Sequence, residues 1–180
     1  TPAINNASGY KSNDPYSNRD PRLAATVLYN GVNWGNGIIN VLKGQRDNPQ
    51  GNANATPTGY YTRKYIPEVI LNNNHTGSNY RNWIIIRYAE ILLSYAEALN
   101  NLTGPHTVEL DGQPYTMSRD KEEIKKAFNQ VRYRAGLPGL TANQLNSTPE
   151  VQKQIERERM VEFLWENRRF YDVRRWGIYE

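Results

Sequence analysis

Three glutamates, Glu158, Glu162 and Glu166, stand at i, i+4 and i+8. On a helix that spacing puts three carboxylates on one face. Paired carboxylates are the working groups of glycoside hydrolysis, one as proton donor and the other as nucleophile or base. The same spacing also has a structural use. Like charges at i, i+4 destabilise an isolated helix by roughly 0.2–0.5 kcal/mol per pair, so cations must neutralise them. Arg87, Arg132, Arg134, Arg157, Arg159, Arg168, Arg169 and Arg175 are available. No sign of a cleft or of a raised carboxyl pKa accompanies the glutamates. The structural use is therefore preferred: a Glu/Arg network that pins this helix to its neighbours, with no catalytic residue.

Other reactive constellations are weaker. His75 and His106 lie in separate loops without a spaced partner, and a metal site needs three or four clustered ligands. Cysteine is absent, which excludes a thiol nucleophile and a disulfide scaffold. No phosphate loop, nucleophile elbow or dinucleotide fingerprint occurs. Neither a metal nor a cofactor is predicted. Residues 168–176 interleave arginines with Phe170, Tyr171 and Trp176, a mixture that suits stacked bases and phosphates. The net charge is only +4, from 22 basic and 18 acidic residues, and most cations have an acidic residue nearby. The segment reads instead as a helix end that turns Phe170 and Trp176 inward and directs its arginines to Glu158 and Glu162.

The front portion offers different chemistry. Tyr10, Tyr16, Tyr29, Trp34, Tyr60, Tyr61 and Tyr80 lie among Asn, Ser, Thr and Gly, and 15 of the 22 asparagines fall within residues 1–80. Flat aromatic faces suit the apolar C–H patches of sugars. Amide side chains offer both donors and an acceptor to hydroxyls. Trp34 sits in Asn33-Trp34-Gly35-Asn36-Gly37, which reads as a flexible aromatic loop that no regular element buries. Trp34 is thus the predicted stacking platform, with Tyr29, Tyr10 and Tyr16 as further rings. Asn33 and Asn36 are the predicted hydroxyl partners.

The elements that position these groups follow from periodicity. Residues 1–82 form a loop-rich Asn/aromatic segment with short strands, broken at Asn13-Asp14-Pro15 and Asp47-Asn48-Pro49. Residues 83–180 form a helical segment. A helix from Ile86 or Arg87 to Asn100 carries one narrow polar stripe, Arg87, Glu90, Ser94 and Glu97. Being apolar over most of its circumference, it should be buried among neighbours. Asp111-Gly112 marks a hairpin within residues 107–117. Asp120 with Glu123 forms a capping box, and Ile124, Ala127, Phe128, Val131 and Ala135 make the apolar stripe of a second helix. Gly136 and Pro138 end it. A short turn follows at Ala142–Leu145, capped by Thr141. A third helix runs from an N-cap at Thr148, followed by Pro149, to about Asn167, and Phe170 to Trp176 continues as a shorter one. The fold class is mainly α: tetratricopeptide-like helix pairs with long loops and a small β-hairpin.

Several classes are excluded. Aromatic residues make up 11% of the chain, too many for a chain disordered throughout. No apolar run approaches the roughly 20 residues that span a bilayer, since Arg87, Glu90 and Glu97 interrupt the stretch Trp83 to Leu99. Thr1-Pro2-Ala3-Ile4-Asn5 does not read as a signal peptide.

Ordered blocks of sequence resemble the SusD/RagB family. They are Asp20-Pro21-Arg22-Leu23, Gly59-Tyr60-Tyr61-Thr62-Arg63-Lys64-Tyr65 and Ile86-Arg87-Tyr88-Ala89-Glu90-Ile91-Leu92-Leu93-Ser94-Tyr95-Ala96-Glu97-Ala98. Asn129 to Pro138, Glu156 to Phe163 and Arg169 to Gly177 complete the set. The resemblance implies a nutrient-binding, usually glycan-binding, surface lipoprotein of the outer membrane in Bacteroidetes. It implies delivery of the ligand to a TonB-dependent SusC-like transporter, and no catalysis. The membrane attachment would be an N-terminal lipid anchor on a cysteine that this chain lacks. Family members are considerably longer, so the chain is expected to be a C-terminal part of one such domain. The alternative is a helical protein-interaction scaffold without sugar binding, which an exposed apolar groove between helices would favour.

Overall fold

The computed structural model describes residues 9–35, 37–66 and 82–178. Asn36, His75 and Tyr80 lie outside the described residues. The chain groups into two compact units, Thr1–Asn82 and Trp83–Glu180.

The first unit is built from short elements. Helix α1 (Arg22–Thr26) leads directly into strand β1 (Val27–Leu28). Strands β2 (Asn33–Trp34) and β3 (Gly37–Ile38) pair antiparallel, with Asn33 opposite Ile38 and Trp34 opposite Gly37. Strand β4 (Tyr61–Thr62) returns to pair with β1, setting Leu28 against Tyr61. Breakers keep each strand to two residues, so side chains must supply the cohesion. Leu28, Trp34 and Ile39 form a small core, with Val32, Val41 and Tyr61 packed against it. Gly59 is required at its turn: its φ is +71°, and a Cβ there would meet Val41 at 3.3 Å.

The loop reading of Asn33–Gly37 is therefore corrected. Trp34 is a strand residue only 7% exposed, and the guanidinium of Arg63 lies 5.1 Å above its ring. The hydrophobic gain of removing a large indole from water outweighs the weak strand propensity of the flanking Asn and Gly.

The second unit contains helices α2 (Tyr88–Asn100), α3 (Lys121–Arg134), α4 (Ala142–Leu145), α5 (Thr148–Glu162) and α6 (Arg169–Trp176). Between α2 and α3 the chain forms the hairpin β5 (His106–Leu110) and β6 (Gln113–Met117). Asp111 and Gly112 at its tip both have positive φ, as a two-residue turn of this kind demands. Helix α2 packs on both α3 and α5. Leu93, Ala96 and Leu99 from α2, Ile124, Ala127, Phe128 and Val131 from α3, and Val151 and Ile155 from α5 make one core.

The caps differ in detail from expectation. The Asp120 side chain accepts from the backbone of Glu122 and Glu123, while the Glu123 carboxylate turns to Lys126. The reciprocal capping box belongs to Thr141 and Gln144 on α4. Ser147, not Thr148, caps α5, its Oγ accepting from the Glu150 N–H at 3.3 Å. Helix α5 stops at Glu162 rather than Asn167, because Trp165 and Asn167 adopt left-handed backbone.

Buried amides tie the helix ends together. Asn100 donates to the Thr148 carbonyl and accepts from Arg119. Asn129 accepts from the Leu140 N–H at 2.9 Å. The backbone of Gly139 approaches so closely that a Cβ would stand 2.3 Å from the Asn129 amide.

The burial expected of α2 is only half met. Tyr88, Ile91 and Tyr95 are 69%, 52% and 41% exposed. Within this unit α3 and α5 pack on α2 and α6 is tied to it through Glu97, while these three side chains stay largely open.

Candidate functional site

Antiparallel register assembles the aromatic site. Val27 faces Thr62 and Leu28 faces Tyr61, so the next step places Tyr29 beside Tyr60. Side chains alternate across a strand, and Leu28 with Tyr61 joins the Trp34 core. Tyr29 and Tyr60 consequently fall on the opposite face. Tyr16 then stacks on Tyr29, with ring centroids 4.0 Å apart and planes inclined by 23°. Tyr60 meets Tyr16 edge-on at 6.5 Å. The guanidinium of Arg19 lies 5.7 Å over the Tyr10 ring.

Burial, then a hydrogen bond to Tyr60 and the neighbouring Tyr60, Tyr29 and Tyr10 hydroxyls, pushes the Tyr16 phenol up to about 12. Tyr16 therefore stays neutral and protonated at physiological pH. The cluster offers ring faces with hydroxyl handles, the combination that holds a ligand apolar on one side and hydroxylated at its edge.

Of the predicted site residues, the structure brings together Tyr16 and Tyr29, with Tyr10 near enough to help raise the Tyr16 pKa. Asn33 is exposed on β2, and Asn36 lies outside the described residues. Trp34 is in the core beneath. Tyr60, half exposed at 47%, was absent from the predicted set. The signal for it was the Gly59-Tyr60-Tyr61-Thr62 run, whose alternation sends Tyr61 inward and Tyr60 outward once it is read as a strand.

The glutamate stripe in the helical unit is neutralised internally. Arg87 grips Glu166 with Nε and Nη2 at 2.9 and 2.8 Å and reaches Glu162 with Nη1 at 2.8 Å. Arg134 meets both Glu162 oxygens at 2.6 and 2.7 Å. Arg132 takes Glu158 at 3.0 Å. Desolvation opposes the charge on Arg87, but the two carboxylates more than compensate and raise its pKa.

The arginines of residues 168–176 correct the partner assignment. The ion pairs described for Arg168 and Arg175 are made with other carboxylates than Glu158 and Glu162. Arg175 meets Glu97 and Asp172, and Arg168 meets Glu90 at 2.9 Å. Trp176 donates its indole N–H to Glu97 at 2.7 Å, whereas Phe170 stays exposed with Arg174 over its ring. Burial alone would raise the Glu97 carboxyl, but Arg175 and Trp176 outweigh it and hold Glu97 below the usual carboxylate range. His106 is exposed on β5. Among the described residues no group of three or more potential ligands is placed to hold a metal ion, and no helix is long and apolar enough to cross a membrane.

Paired helices joined by long loops and a β-hairpin, with buried Glu/Arg ties between them, define a mainly α protein of the tetratricopeptide-like class. The chain belongs to the SusD family, whose profile matches residues 4–180. SusD-like protein P2 of Formosa agariphila is 31% identical over 117 residues, covering 62% of this chain and 20% of that protein. A crystal structure of a SusD-like protein from Bacteroides fragilis is 35% identical and superposes with a TM-score of 0.68, over 91% of this chain and 29% of that one. A SusD-like carbohydrate binding protein from the same species is 28% identical, with a TM-score of 0.67 over 90% of this chain and 29% of that one. The chain thus spans under a third of the length of these relatives.

Proposed function

We propose that this chain is the C-terminal part of a non-catalytic, glycan-binding protein at the bacterial outer-membrane surface, which hands its ligand to a SusC-like TonB-dependent transporter. One relative of the same family is a carbohydrate binding protein. The observation that carries the reading for this chain is the stacked Tyr16–Tyr29 pair with Tyr60 at its edge. Sugar would lie against the exposed ring surface, with Tyr10 and Asn33 as outer contacts. Trp34 supports the platform from below rather than touching ligand. The lipid anchor and the transporter contact would belong to parts of the longer protein.

Calorimetric titration with neutral oligosaccharides tests this. Tyr60→Ala should weaken binding roughly tenfold, about 1.4 kcal/mol. Equal affinity in the wild-type and Tyr60→Ala proteins would remove the cluster as the platform.

The α2–α3 groove favours a second reading, a helical scaffold that recognises no sugar. Tyr88, Ile91, Leu92 and Tyr95 line it opposite Ala127 and Gln130. Exposed apolar residues at i, i+3 and i+7 fit the apolar stripe of another amphipathic helix. A blank oligosaccharide screen, together with Ile91→Glu altering assembly in sedimentation, would favour it.

A further inference from the structure

A separate cavity of about 470 Å³ opens between α2, α5 and α6. That volume lies within the range of roughly 300–1,000 Å³ typical of small-molecule sites. Its lining carries Glu90, Glu97 and Asp172 against Arg159, Arg168 and Arg175. The formal charge of these groups cancels. Each carboxylate already holds an arginine. Neither an anion nor a cation would find an uncompensated partner here.

What remains open is hydrogen-bonding capacity. Arg159 is 5% exposed. Its Nε binds Asp172 at 2.9 Å and its Nη1 binds Ser94 Oγ at 3.2 Å. Its Nη2 has no acceptor among the described residues, yet it is not sealed from solvent. Asn101 donates Nδ2 to the Glu97 carbonyl, which leaves its Oδ1 as an unused acceptor among the described residues. Ser94 accepts from Arg159 and keeps its own proton to donate. The exposed Tyr171 ring stands at the rim with its hydroxyl uncommitted among the described residues.

A buried guanidinium edge, an amide oxygen, two hydroxyls and a ring around a charge-balanced cavity suit one ligand chemistry. Neutral polyols present donors and acceptors at short spacing and an apolar C–H face. We propose that this cavity is a second binding site, for the end unit of a neutral sugar, distinct from the tyrosine cluster of the first unit.

The site makes the helical unit a recognition surface in its own right. Arg159 supplies donors to a ring or hydroxyl oxygen, Asn101 accepts from a hydroxyl, and Tyr171 covers the C–H face. Amide shift mapping of the whole chain with methyl glucoside, methyl galactoside and methyl mannoside tests it. At least one should produce saturable shifts at Ser94, Asn101 and Tyr171. Tyr171→Ala and Asn101→Ala, both at exposed positions, should each weaken that binding roughly tenfold. Tyr60→Ala should leave it unchanged, which separates this site from the tyrosine cluster. No saturable shift with any of the three glycosides overturns the proposal. So does preferential binding of a zwitterionic amino acid such as glycine, or affinity unaltered by both cavity variants.

Discussion

At the residue scale, Trp34 and Tyr16 show how burial assigns roles to like side chains. Trp34 is packed among Leu28 and Ile39, so Trp34→Ala should act on stability. A cost of about 3–5 kcal/mol is expected for losing a buried indole, read as a lowered urea midpoint. Tyr16 is predicted to be slow to ionise. Its phenol sits at about 12, raised by burial and by the Tyr60 hydroxyl. Tyrosinate absorbance should show a group titrating at about 12, and Tyr60→Phe should bring it down. The folded state keeps this proton where the unfolded chain releases it. The associated stability is complete below about pH 10, the unfolded value, and declines as pH rises toward 12.

At the element scale, the ties between helices matter more than their caps. Arg87, just before α2, holds two carboxylates at the far end of α5 and beyond it. Arg87→Ala leaves those nearly buried groups without their shared cation. Because Arg134 stays on Glu162, the cost should fall below the roughly 3–5 kcal/mol of a fully broken buried pair, and thermal or urea unfolding would report it. Gly139→Ala probes the turn before α4. Its Cβ would collide with Asn129, and moving that amide leaves the buried Leu140 N–H without its acceptor. The loss should be about 1–3 kcal/mol. Wild-type stability in this variant would show that the turn can shift freely.

At the scale of the whole molecule, acid should find the helical unit through its carboxylates. Glu97 is held below the usual range by Arg175 and Trp176 despite its burial. A depressed carboxyl contributes fully above the unfolded glutamate value of about 4.3. That contribution is lost as pH falls through the lower folded value. Helical circular dichroism followed downward from neutral pH should therefore fall in the acid range. Glu97→Gln should reduce the steepness of the fall while lowering stability at pH 7. The two binding surfaces proposed lie one in each unit, so ligands that compete at neither or both distinguish a two-site protein from a one-site protein.

Much of the helical unit was legible from the residues alone. The stripe Ile124, Ala127, Phe128 and Val131, the Asp111-Gly112 turn and the neutralisation of Glu158, Glu162 and Glu166 depend on neighbours within a few positions, or on a charge balance that any compact fold must satisfy. The loop-rich unit was less legible. Whether Trp34 faced solvent, and whether Tyr60 joined Tyr16, depended on β1 pairing with β4 across more than thirty residues. Likewise the need for arginines was readable, but the choice of Arg175 for Glu97 was made across 78 positions. Short-range periodicity determines which faces want burial and which charges want partners. Only the folded chain decides which distant segment meets each want, because that choice is settled by the packing of all the elements at once.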